Sequence, residues 1–207
     1  MTGSLSIFYF LILIASIIVH EVAHGLAAER EGDPTARLLG RITLNPLKHI
    51  DWLGSVILPL ALILTNAGFV VGWAKPVPYD ANNLRNGRKS EAKVSVAGIL
   101  VNLLVAVVFG LLIRLMILTG YTSLNVIIIA SHIVIINIIL AIFNSIPIAP
   151  LDGFRFLSSV LPARALPTMR VIEQYSLPLL ILFILFGWKF IVPFTNILYS
   201  LLTGIAI

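Results

Sequence analysis

No cysteine occurs in the 207 residues, so the chain can form no disulfide, thiolate metal site or cysteine nucleophile. Charge is scarce as well: 11% of residues are Asp, Glu, Lys or Arg, against roughly 25% in soluble domains. Hydrophobic residues make up 59%, and the mean hydropathy is +1.05. So few charges cannot cover the surface of a water-soluble globule of 22.6 kDa, and the composition implies an all-α polytopic membrane protein. Disordered, collagenous and coiled-coil classes are excluded by the same numbers. The net charge of +5 does not point to nucleic acid, because the basic residues sit between apolar runs and form no aromatic-interleaved polar face. The expected surroundings are a lipid bilayer and its anionic headgroups. The first apolar run has no basic residue before it and no small-residue cleavage site after it, and is read as a retained helix, not a signal peptide.

Apolar runs lay out the segments. Leu5 to Ala28, Val94 to Thr119 and Leu124 to Phe143 each suit one crossing of about 20 residues. Trp52 to Trp73 is apolar but interrupted by Pro59, Asn66, Gly68 and Gly72. Tyr175 to Ile207 exceeds one span, and Lys189 and Pro193 are expected to divide it. The expectation is four to five transmembrane helices plus a re-entrant or interfacial hairpin. All belong to one domain, residues 1–207, with a core at about 5–160 and a C-terminal membrane region at about 171–207.

Topology turns on residues 52–73. If they do not cross, residues 29–93 stay on one side with nine of the fourteen Lys and Arg residues, joined there by Arg155, Arg164 and Arg170. Positive-inside bias makes that side cytoplasmic in a cell membrane. If they do cross, the basic stretch 74–93 moves outside. The hairpin fits the charges better, and a broken helix at Pro59 suits backbone packed against protein rather than lipid.

The sharpest motif is His20-Glu21-Val22-Ala23-His24, at the end of the first span. Residues four apart share a helix face, so His20 and His24 can offer two imidazoles to one zinc ion. Glu21 stands beside them as a general base able to take a proton from water. Gly25 permits close packing there. Ionisable groups inside a span are costly and mark function. The bland alternative is two neutral histidines bonding across a bundle, with Glu21 paired to a base.

A catalytic zinc site has three protein ligands. The candidates for the third are His49, His132, Asp152 and Glu173, with Asp33, Asp51, Asp80 and Glu91 in polar loops. Asp152 stands out. It follows the third span in Pro147-Ile148-Ala149-Pro150-Leu151-Asp152-Gly153, where two prolines prevent a regular helix and let a carboxylate turn toward another helix. The hairpin topology puts it on the side of His20 and His24. Its alternative role is a capped turn. His132 reads as an interhelical hydrogen bond, and Arg114 and Lys189 as snorkelling residues.

The HEVAH motif and the later Asn144 to Gly153 stretch resemble the paired motifs of site-2 proteases, the intramembrane zinc metalloproteases of peptidase family M50. The resemblance covers roughly residues 15–160 and includes a block at 72–102, with Ala97, Gly98 and Asn102 in an Ala-Gly-Pro-x-x-Asn pattern whose proline is Ile99 here. A second family glycine is Phe154 here. Nothing resembles the PDZ or CBS domains of longer relatives. The resemblance implies one zinc ion bound by His20, His24 and Asp152, with Glu21 activating water. It implies that Asn144 holds the substrate backbone or the oxyanion, against a plain reading as a helix cap. It further implies membrane-spanning protein or peptide substrates. From the broken hairpin itself comes the expectation that an extended substrate strand pairs with a backbone edge near Gly68 and Gly72, on the side that the charges make cytoplasmic. The rival readings are a transporter or metal permease, and a catalytically inactive membrane binding module.

Overall fold

The structure is a computed structural model that describes residues 2–65, 74–121 and 123–206. Among these there are helices and turns but no strand. Helix α1 (Thr2–Arg30) is followed by the short α2 (Thr35–Leu38) and by α3 (Leu58–Leu64). Helices α4 (Arg88–Leu118) and α5 (Leu124–Asn144) come next, then α6 (Asp152–Val160), α7 (Leu166–Gln174), α8 (Ser176–Phe186) and α9 (Trp188–Thr203). Three of the described helices are long and apolar enough to cross a membrane. A fourth span results if residues 163–186, bent by 66°, count as one.

Helices α1, α4 and α5 form the centre. The end of α1 lies against the start of α4: Ala28 packs on Val94, and the Glu31 carboxylate binds Lys93 Nζ at 2.7 Å and accepts the Ser90 hydroxyl at 2.5 Å. The two helices are therefore antiparallel, and the chain leaves and returns at one end of the bundle. The stretch between them is tied down within itself as well, since Lys75 N–H donates to the His49 carbonyl at 2.8 Å. Residues 50–74 thus start and finish together, as a hairpin requires. Its first arm is a π-helical turn, Trp52–Ile57, running into α3. Asn66, Gly68 and Gly72 lie outside the described residues.

Helices α4, α5 and α9 share a core of Ala106, Ile113, Ala130, Val134, Ile138 and Tyr199. Lipid tails are as apolar as leucine, so such helices associate through close packing and interhelical hydrogen bonds. Gly110 serves the first need: a Cβ there would stand 2.8 Å from Leu202 Cβ. Tyr199 serves the second by donating to Ser131 Oγ at 2.8 Å. The C-terminal region breaks at Tyr175 and Gly187, while Pro193 sits inside α9. Arg114 is more than a snorkelling residue. Its guanidinium donates to the Leu201 and Leu202 carbonyls and closes the C-terminal end of α9 before Gly204 at φ 78°.

Candidate metal centre

The two histidines sit on one face of α1, as their spacing requires, and that face meets α4. A Cβ on Gly98 would stand 2.5 Å from both His20 Nε2 and His24 Nε2, so only a glycine leaves the space between the imidazoles open. Asp152 enters the same space from the start of α6. Helix α5 ends at Asn144, three residues before Pro147, because the residue before a proline disfavours helix. The chain then turns back over that end through Ser145 to Leu151. A Cβ on Gly153 would lie 2.6 Å from the Ile146 carbonyl oxygen, so glycine allows α6 to press onto the end of α5. Leu151 is the N-terminal flank of α6 and no side chain caps it, which sets the capped-turn reading of Asp152 aside.

His20 Nε2 and His24 Nε2 are 3.1 Å apart, and each lies 3.0–3.1 Å from Asp152 Oδ2. All three residues are buried, at 6%, 8% and 9% exposure. Their far sides are fixed. His20 Nδ1 lies 2.6 Å from Asn102 Oδ1, and His24 Nδ1 lies 2.7 Å from the Val94 carbonyl. Both partners accept, so both Nδ1 atoms carry the proton and both Nε2 lone pairs face Asp152. Three lone-pair donors converging in a buried space call for a cation. Tetrahedral zinc with bonds of about 2.0–2.1 Å spaces its ligands roughly 3.3 Å apart, and the triangle seen here fits that ion.

Glu21 adjoins the triad on α1, and its Oε2 accepts the Val77 N–H at 2.7 Å. Val77 can come this close because a Cβ on Gly25 would stand only 2.9 Å from Val77 Cγ1. A cavity of about 640 Å³ is lined by Pro76, Val77, Tyr79, Ala149, Pro150 and Phe154 among others; it reaches Val77, the partner of Glu21, while the triad itself does not line it.

The other candidates are placed elsewhere. Asn144 donates to the Leu140 carbonyl at 2.9 Å, within its own helix. His49 Nε2 donates to Thr43 O at 2.8 Å. His132 Nδ1 donates to Ile128 O, one turn back, and its ring stacks on Tyr9 of α1 with centroids 4.2 Å apart, so it makes a ring contact across helices and not the expected hydrogen bond. Asp51 accepts from Gly54 N–H, and Asp80 from Asn82 N–H. Asp33 joins the loops through Thr35, Asp80 and Asn83. Glu91 and Glu173 line the cavity. Residue-level reading of the sequence missed Asn137 and Ser16, which continue inward from Asn102. Their only signal is that polar side chains inside apolar helices need partners.

The comparisons with known proteins identify the family. The pattern of peptidase family M50 matches residues 8–124. A protein of Bacillus subtilis (strain 168) named "Putative zinc metalloprotease YwhC" is 35% identical over 195 residues, covering 92% of this chain and 83% of its own. No solved structure is a significant match. On the extent of both matches, the chain belongs to peptidase family M50.

Proposed function

We propose that this metalloprotease is an intramembrane zinc endopeptidase of the site-2 type, hydrolysing peptide bonds within or near the transmembrane segments of other proteins. The observation that carries the reading is the convergence of His20 Nε2, His24 Nε2 and Asp152 Oδ2 at 3.0–3.1 Å, with every other polar contact of the imidazoles turned away. These residues would hold one zinc ion, which when bound supplies a Lewis acid for a peptide carbonyl and for water. Glu21 takes the proton from the attacking water and passes it to the leaving amine. The Val77 N–H holds the Glu21 side chain in place for that transfer. Asn144 serves the substrate backbone or the oxyanion by giving up its bond to Leu140. The cavity between Val77 and Pro150 supports access of water and of an unwound substrate.

In this reading the protein is a multi-pass protein of the cell membrane with its site toward the cytoplasm. Nine of the fourteen basic residues lie in the stretch that leaves and returns at the end of the bundle carrying the triad. The transporter reading needs ionisable groups strung along several spans. Among the described residues one cluster of His and Asp could hold a metal, and it lies at one end of the bundle.

The test is zinc content and cleavage of a panel of single-span peptides by detergent-purified protein, beside Glu21→Gln. One equivalent of zinc, with cleavage abolished but metal retained in the variant, is expected. A protein that takes up no zinc after reconstitution would overturn the reading. Asn144→Ala should lose about 10²-fold in turnover with zinc unchanged.

A further inference from the structure

We infer that Asn137, two side chains away from the metal triad, sets which nitrogen of His20 faces the metal. The inference rests on the metal-site reading above. Asn137 of α5 places its Nδ2 2.9 Å from the Ile133 carbonyl and 2.9 Å from Ser16 Oγ of α1. A backbone carbonyl can only accept, so the amide of Asn137 has one permitted orientation, nitrogen toward Ile133. Its Oδ1 therefore faces Asn102 of α4, whose Nδ2 donates to it at 2.7 Å. That contact orients the second amide in turn and leaves Asn102 Oδ1 toward His20 Nδ1 at 2.6 Å. An oxygen that only accepts demands a proton on Nδ1, and the lone pair of Nε2 is left for the metal.

The sense of the whole relay follows from Ile133. An asparagine alone could not impose it. Turned over, Asn102 would present its NH₂ group to His20, Nδ1 would become the acceptor, and the proton would move to Nε2, where it blocks coordination. The relay is sealed: Asn102 and Asn137 are 0% and 1% exposed, so water cannot substitute for a missing partner. His24 needs no relay, because its Nδ1 already meets the acceptor-only carbonyl of Val94. Asn102 and Asn137 are thus positioning residues. Ser16 accepts the second proton of Asn137 but is not needed to fix its sense.

The experiment pairs zinc affinity, from chelator competition in detergent, with ¹⁵N NMR of the histidine side chains in metal-free protein carrying Asp152→Ala, since Asp152 Oδ2, 3.0 Å from His20 Nε2, would itself draw a proton there. Spectra are taken at about pH 8, above the ordinary imidazole range. The chain has four histidines, and His20→Gln identifies the signal. With Asp152 removed and the relay intact, His20 should be protonated at Nδ1 alone. Asn137→Leu should add a population protonated at Nε2 only and weaken zinc binding about 10- to 100-fold. Asn102→Asp on top of Asn137→Leu should restore both readouts, because a carboxylate accepts in either orientation. Ser16→Ala should change zinc affinity less than about threefold. A single Nδ1-protonated form with unchanged zinc affinity in Asn137→Leu overturns the inference. So does failure of Asn102→Asp to rescue, which would mean that Asn137 acts by packing. Where Asn137→Leu does not fold, Asn137→Ser replaces it, since a hydroxyl can donate or accept and imposes no sense. If the unmutated protein binds no zinc, the metal-site reading fails, while the NMR comparison still decides the role of Asn137.

Discussion

Gly98 has no side chain, and that vacancy is what His20 and His24 share. Its missing Cβ would lie 2.5 Å from both Nε2 atoms, a spacing that no relaxation of one imidazole could relieve without moving the other. Gly98→Ala should therefore weaken zinc binding at least about tenfold by chelator competition. Helix α4 itself should be unharmed, since alanine favours helix over glycine by roughly 1 kcal/mol. His132→Phe is the control: the ring contact with Tyr9 can be kept, and zinc content should stay at the unmutated level. Two of the three residues of the triad could be read from spacing alone, because His20 and His24 are joined by one helical turn. Asp152 needed the two prolines to mark it. Asn102 was visible only through family resemblance, and Asn137 not at all, because its role depends on which residues of three helices meet.

At the scale of elements, the junction between α5 and α6 decides where the third carboxylate falls. Gly153 lets α6 start against the Ser145 and Ile146 carbonyls, so Gly153→Ala should push α6 outward and carry Asp152 from the histidines. The expected outcome is weaker zinc binding and lower cleavage with helix content by circular dichroism unchanged. Hydropathy placed the three long helices but not the C-terminal ones. Lys189 and Pro193 suggested a division, and α8 and α9 part at Gly187, two residues before Lys189, while the proline is accommodated inside α9. Composition marks where a helix can break, while packing selects which of those places is used. The hairpin between α1 and α4 divides likewise. Its ends are joined through His49 and Lys75, but its described arm is helical, so it offers no extended edge over residues 52–64 for a substrate strand.

For the whole molecule, the loops at the site-bearing end hang on Asp33. Its carboxylate accepts from Thr35, from Asp80 N–H at 2.7 Å and from Asn83 Nδ2 at 2.9 Å, so it ties the exit of α1 to the approach to α4. Burial pushes this carboxyl up, and the hydrogen bonds from Thr35, Asn83 and Asp80 pull it down further, leaving it below the ordinary carboxylate value. A lowered folded value means the stabilisation is fully present above the unfolded value of about 3.9 and fades as pH falls through the folded one. Asp33→Ala should cost roughly 1.5–3 kcal/mol at neutral pH, read as a lower thermal midpoint in detergent. The gap from the unmutated protein should close in strong acid; a gap independent of pH would refute the ionised role. Local sequence by itself determined the membrane class, the long helices and the paired histidines, since these follow from composition and from the 3.6-residue period of a single helix. Only the tertiary structure decided that Asp152 completes the triad, that Gly98 keeps it open and that an amide relay stands behind His20. Those depend on residues 35 to 128 positions apart meeting in a low-dielectric interior, where an unpaired polar group is too costly to leave alone.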